Sequence, residues 1–197
     1  MKEINAREIK QNAVSLIADD WALLTAGNKE KWNTMTVSWG GIGELWGKDV
    51  TFVFVRPQRY TKEFIDNSDY FTLSFFDDEY KDALKLCGRK SGRDIDKAQA
   101  TGLTPAFDGE YKDALKLCGR KSGRDIDKAQ ATGLTPVFDG DTTYLEQAKL
   151  VIICKKIAVQ PMDPNGILDK SIIDDCYTEG DFHTTYVGEI VKILEKD

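Results

Sequence analysis

The chain is poor in the residue types that build most active sites. It holds one histidine, His183, which excludes a His-rich metal site and leaves a Ser-His-Asp triad only one base to use. There is no C-x-x-C pair and no metal-ligand spacing, and Cys87 and Cys118 are one residue copied twice, leaving Cys154 and Cys176. That usage fits a reducing cytosol. Basic residues do not dominate: 27 Lys and Arg stand against 33 Asp and Glu, a formal charge of -6, which argues against a nucleic-acid partner. No apolar run approaches a membrane span, and Met1 to Gln11 is charged rather than signal-like, so the expectation is a cytoplasmic protein without a membrane partner. Paired carboxylates, a nucleophile elbow and a metal cluster are also missing, which leaves hydrolysis without machinery. What remains, 41% hydrophobic and 30% charged residues, is the composition of an ordinary soluble globular domain.

Against that plain background one feature stands out. Glu79 to Gly109 is followed directly by a second copy, Glu110 to Gly140, identical except that Val137 replaces Ala106. Natural repeat arrays drift and need about three units with atypical ends. Two near-perfect copies in mid-chain therefore read as a duplicated segment inside one domain spanning 1–197, not as a solenoid. Long insertions of this kind cost little loop entropy, and the surplus copy is expected to pack on the surface without closing a new core.

Taken in order, Ile4 to Ile17 reads as a helix or a lead-in strand. Trp21 to Ala26 is a β-type run ending at Gly27-Asn28. Trp32 to Trp39 is a strand with Met35, Val37 and Trp39 on one side, and Gly40 to Gly47 is a glycine-rich loop. That loop fails as a dinucleotide fingerprint, because Trp46 stands where the final glycine belongs and no amphipathic helix follows. Val50 to Val55 (VTFVFV) has the composition of a strand buried on both faces. Pro57 ends it, and Thr61 to Ile65 opens a short helix. Tyr70 to Phe76 alternates, placing Phe71, Leu73 and Phe75 on one face. In the duplicated unit, Tyr80, Ala83, Leu84 and Cys87 keep helical spacing behind Asp77 and Asp78, and Asp94 caps a second helix. Gln147 to Val159 contains another long strand with Cys154 in its apolar core. Asp163 to Gly166 is a turn. Thr184 to Leu194 is the last strand, with Val187, Val191 and Ile193 facing one way. Five or six strands with late helical insertions and no strand-helix alternation imply an antiparallel barrel rather than a doubly wound sheet.

Four stretches could carry a ligand. Arg56-Pro57-Gln58-Arg59-Tyr60-Thr61 offers two guanidinium groups and a hydroxyl where a helix begins, suited to a phosphate; the bland reading is a solvated turn with Thr61 capping its own helix. Asn33 to Trp39 (NTMTVSW) could hydrogen-bond the edge of a flat heterocycle through its backbone, Thr36 and Ser38, with Trp39 as an apolar wall; the alternative is a half-exposed strand. Cys87 to Lys97 (CGRKSGRDIDK), with Ser91 and Gly92, could hold an anion or be a charged linker. His183 beside Phe182 could face a ligand or be structural.

Together NTMTVSWG, RPQRYTKEFI, CGRKSGRDIDK and the closing HTTYVGEIVKI (His183 to Ile193) resemble the flavin reductase-like, flavoredoxin-type family. With one copy removed, the resemblance runs through nearly the whole chain in order. It implies a mainly β, six-stranded antiparallel split β-barrel of Greek-key type that binds FMN, rather than FAD, as a homodimer. By that resemblance Asn33, Thr34, Met35, Thr36 and Ser38 would line the isoalloxazine edge, with Trp39 near the ring. Arg59 and Thr61, with Arg56, Gln58 and Tyr60, would hold the phosphate. Ser91, Gly92 and Lys97, or its duplicate Lys128, would approach the flavin, and Phe182 and His183 would lie near the ring or the dimer seam. His183 is the one candidate for a catalytic side chain. The implied activity is NAD(P)H-dependent flavin reduction or electron transfer to an acceptor protein. The competing reading is a split-barrel module that holds a flavin or another anion without turnover, blocked by the duplicated segment.

Overall fold

A computed structural model of the chain describes residues 1–76, 117–118, 124, 127–129 and 134–196. The first copy of the duplicated unit, with its expected helices and with Ser91, Gly92 and Lys97, lies outside the described residues.

The strands arise where β-branched and aromatic residues cluster. They are β1 (Lys2–Ile4), β2 (Ala22–Gly27), β3 (Trp32–Val37), β4 (Gly40–Leu45), β5 (Lys48–Val55), β6 (Tyr70–Phe75), β7 (Pro136–Asp139), β8 (Thr142–Leu145), β9 (Leu150–Pro161) and β10 (Thr184–Glu195). Short helices α1 (Ala13–Ser15), α2 (Thr61–Asn67) and α3 (Ser171–Cys176) lie between them. The main sheet runs β3-β2-β6-β9-β10-β5-β4, with β1 added beside β10, while β7 and β8 form a separate hairpin. Every pairing is antiparallel.

Closure follows from the connectivity. β3 and β4 are the two margins of the sheet, yet only Ser38 and Trp39 separate them in the chain. In a flat sheet of seven strands the margins would stand roughly 29 Å apart, and so short a link reaches about 10 Å at most. The sheet must therefore roll up until its margins meet, without hydrogen bonds across the seam. That is a split barrel, as expected, with more strands than six.

The extra strands have physical causes. Gly40 to Gly47 is a hairpin, not a loop: β4 pairs with β5 in register, Gly40 opposite Val53 and Leu45 opposite Lys48. Its two-residue turn has both φ values positive, Trp46 at 57° and Gly47 at 73°, the requirement of the mirror-image turns that suit twisted hairpins. Gly40 makes room for Phe52: a Cβ there would lie 2.5 Å from the Phe52 carbonyl oxygen. β5 is correspondingly not buried on both faces. Thr51, Val53 and Val55 point into the core while Phe52 and Phe54 stay half-exposed. Ile4 to Ile17 is neither one helix nor one strand but β1 followed by short helical turns. The β7–β8 hairpin, turned by Gly140 and Asp141, and α3 were not expected from the sequence.

The interior is apolar. Leu24, Val55, Ile65, Phe71, Leu73, Phe75, Ile152, Cys154 and Tyr186 are completely or almost completely buried in one cluster. Each such side chain contributes about 1.5–3 kcal/mol relative to exposure. A second cluster joins Leu23, Phe76, Val151 and Ile153 to Leu145, and here the second copy of the duplicated unit supplies Cys118 and Leu134. In β10, register shifts at Val187/Gly188 and Ile190/Lys192 break the strict alternation. Val187 and Ile193 are buried as expected, but Val191 is 47% exposed, turned out by the second bulge.

Candidate functional site

The site forms beside the open seam. The end of β3 and the link to β4 (Met35, Thr36, Val37, Ser38, Trp39), the end of β5 and the turn after it (Phe54, Arg56, Arg59), and His183 at the start of β10 surround a cleft of about 160 Å³. Thus the hydroxyl-rich strand and the arginine turn, widely separated in the chain, border one cavity.

Their junction is a buried hydrogen bond: Asn33 Nδ2 donates to Thr61 Oγ1 at 2.8 Å. Thr61 is the first residue of α2, and no side chain caps that helix; the residue before it, Tyr60, is already in helical geometry. The Thr61 hydroxyl is therefore the anchor of Asn33 and not a cap. Asn33 and Thr34 lie behind the cleft wall, the latter with its hydroxyl turned to β2, where it accepts from Thr25 Oγ1 at 2.9 Å and donates to the Leu24 carbonyl at 3.1 Å.

The arginine turn divides its tasks. Arg56 pairs with Asp181 and donates from Nη2 to the Cys176 carbonyl at 2.8 Å, and Gln58 Nε2 reaches the same Asp181 carboxylate at 2.6 Å. Hydrogen bonds from Arg56 and Gln58 hold the Asp181 carboxyl below the usual range. These contacts fasten the segment before β10 to the turn after β5. The Arg59 side chain lines the cleft. Tyr60 packs edge-on against Phe64, with centroids 5.0 Å apart, and carries the Arg124 guanidinium 4.5 Å above its ring. Arg124 also pairs with Glu63.

His183 is buried, and its Nδ1 is 2.8 Å from the Tyr177 hydroxyl. Its ring centroid lies 5.4 Å from Trp39 and 6.4 Å from Phe54. Burial, and next the Arg56 charge, push the imidazole down to about 4, so the ring is neutral at physiological pH. Phe182 turns aside and stacks on Tyr177 at 4.7 Å, while Trp39 stays half-exposed at the rim.

Lys128, from the second copy, is buried against the margin strand: its ammonium donates to the Thr34 carbonyl and, at 2.8 Å, to the Cys118 carbonyl. Burial lowers it to about 8. It thereby ties the second copy to the backbone of β3, within electrostatic range of Arg59.

Phe54, Tyr177, Asp181 and Arg124 escaped the sequence reading. Phe54 could have been found as the outward face of an alternating β5. Asp181 gives no local signal, because its partner Arg56 is 125 positions away, whereas Tyr177 stands six residues before His183 and Arg124 belongs to the second copy of CGRKSGRDIDK.

The fold and the cleft beside its seam define the chain as a split barrel, and comparison with known proteins gives its family. Residues 14–112 match the flavin reductase like domain family, half of the chain, and the chain belongs to that family. A search of curated proteins gives no significant match. Among solved structures, an FMN-binding protein from Thermus thermophilus with bound 1-cyclohex-2-enone superposes with a TM-score of 0.59 at 18% identity, over 99% of this chain and 80% of that one. Flavoredoxin of Desulfovibrio vulgaris (Miyazaki F) gives 0.58 at 19%, over 100% and 77%. An NADH:FAD oxidoreductase from Streptomyces globisporus, in complex with NAD and FAD fragments, gives 0.55 at 10%, over 90% and 74%.

Proposed function

We propose that the cleft binds FMN and that the protein is an NAD(P)H-dependent flavin reductase or a flavoredoxin-like electron carrier. The observation that carries this reading is that β3 and the turn after β5 share one cavity, tied together by the Asn33–Thr61 bond. The donor set fits the cofactor. The Met35 to Ser38 segment presents backbone groups and the Thr36 and Ser38 hydroxyls to a ring edge, Trp39 and Phe54 give apolar walls, and Arg59 offers a charge-assisted bond to a phosphate.

When bound, FMN supplies the hydride and electron chemistry, with a nicotinamide nucleotide as donor. The chain's own contribution is binding and orientation. Arg56 and Gln58 lock Asp181, and Arg59, which lines the cleft, is the proposed phosphate contact, with Thr61 and Tyr60 as its frame. Lys128 acts by holding β3 in place. The acting species in this reading is a cytoplasmic homodimer that passes electrons to a free flavin or to an acceptor protein.

The absorption spectrum of the purified protein tests the reading. A yellow protein that releases FMN on denaturation, and whose colour bleaches with anaerobic NADH or NADPH, is the expected result. Colour without bleaching would make it a carrier or binding module. A colourless protein that takes up no added FMN would overturn the assignment.

A further inference from the structure

The Tyr177–His183 pair lies at the cleft, and neither the fold nor the family match gives the tyrosine a task. Tyr177 is itself firmly held: one face stacks on Phe182 at 4.7 Å and 25°, and the Arg56 guanidinium sits 5.2 Å from its ring centroid. Arg56 in turn is fixed by Asp181 and the Cys176 carbonyl. Among the described residues the hydroxyl has two hydrogen-bonding neighbours, His183 Nδ1 at 2.8 Å and Met162 Sδ at 3.4 Å. A thioether is a weak acceptor, whereas a neutral imidazole nitrogen is a good one. The nearby guanidinium charge also favours the hydroxyl as a donor. Tyr177 therefore donates to Nδ1, which leaves the proton of the neutral ring on Nε2.

We propose that Tyr177 is a positioning residue that holds His183 as its Nε2–H tautomer, so that the histidine offers an N–H donor to an electron-rich carbonyl or ring nitrogen of the ligand in the cleft. The identity of that ligand as FMN rests on the function proposed above; the tautomer does not. A hydroxyl set on Nδ1 orients the ring as well as its proton. The ring lines the cleft beside Trp39 and Phe54, and with Nδ1 engaged by Tyr177, Nε2 is the nitrogen left for a ligand.

Because the chain has one histidine, ¹⁵N-histidine labelling gives a spectrum with only two ring nitrogens. At neutral pH, without ligand, the protonated nitrogen is expected to be Nε2. In Tyr177→Phe, which keeps the stacked ring but loses the hydroxyl, the population is expected to move toward a mixture of tautomers. Met162→Leu is expected to leave it unchanged. An Nδ1–H ring in the unmutated protein, no response to Tyr177→Phe, or a switch caused by Met162→Leu would each overturn the proposal. The first of these needs no variant and so does not depend on one folding.

With FMN added, Tyr177→Phe is expected to weaken binding about two- to tenfold, the effect of one misdirected hydrogen bond. A tautomer change with unaltered FMN affinity would remove the donor role. Failure of the unmutated protein to bind FMN would overturn the proposed function while leaving the tautomer result intact.

Discussion

The Asn33 side-chain amide and the Thr61 hydroxyl, 2.8 Å apart and both buried, join the margin strand β3 to the helix that follows the arginine turn. Replacing Thr61 with valine keeps the shape and removes the acceptor, stranding a buried amide. The expected loss is about 1–3 kcal/mol of stability and, under the proposed function, weaker FMN binding. Denaturant unfolding and a flavin titration measure the two effects, and Thr61→Ser is expected to restore both in large part.

His183 makes the protein acid-sensitive. Its folded pKa, about 4, lies below the ordinary value of 6.5, so between those values the unfolded chain binds a proton that the folded one does not. Stability therefore falls as pH drops from 6.5 to 4, by on the order of 2–3 kcal/mol from this group. In His183→Gln that part of the acid loss should vanish, read by unfolding curves at pH 4.5 and 7. A histidine signal titrating near 6.5 would contradict the burial argument.

Lys128 acts at the other end of the scale. Burial lowers it to about 8 from 10.5, so above pH 8 the folded protein sheds a proton that the unfolded chain retains. Stability should accordingly rise between pH 8 and 10, by on the order of 2 kcal/mol from this residue. Lys128→Met should flatten that rise; identical slopes in the two proteins would show the ammonium to be solvated.

Gly188 admits no side chain. A Cβ there would lie 2.5 Å from Phe71 Cζ and 2.6 Å from Cys154 Cβ, inside the barrel. Gly188→Ala is expected to destabilise by about 1–3 kcal/mol through overpacking. Pairing it with Phe71→Leu should recover part of the loss, and thermal melts of the single and double variants decide it.

At the β4–β5 turn, Trp46 holds a positive φ of 57° that suits asparagine far better, and it is 66% exposed. Trp46→Asn should therefore raise stability by about 0.5–1 kcal/mol. A fall in the melting temperature would assign the indole a packing role.

The sequence reading succeeded where a segment's fate depends on its own residues. VTFVFV, the alternating run Phe71, Leu73, Phe75, and the apolar run through Cys154 all became strands of the main sheet. It failed where a neighbour decides. The glycines at 40, 41 and 43 read as a loop because nothing local announces the pairing with β5, or the Phe52 carbonyl that leaves no room for a side chain at Gly40. Val191 broke the alternation because a bulge is a property of the β9–β10 pair and not of β10 alone. At the site, the two stretches that border the cleft stood out by their composition. The diversion of Arg56 to a carboxylate 125 positions away, and of Thr61 from capping to bonding Asn33, did not.

The two-residue bridge formed by Ser38 and Trp39 ties together the first and last members of a rolled sheet that share no ladder there. A ligand in the cleft would lie against the end of β3 and this bridge, which runs directly into β4. Occupancy should thus be felt mechanically: amide exchange in β3 and β4 should slow together on loading, although the two strands never pair.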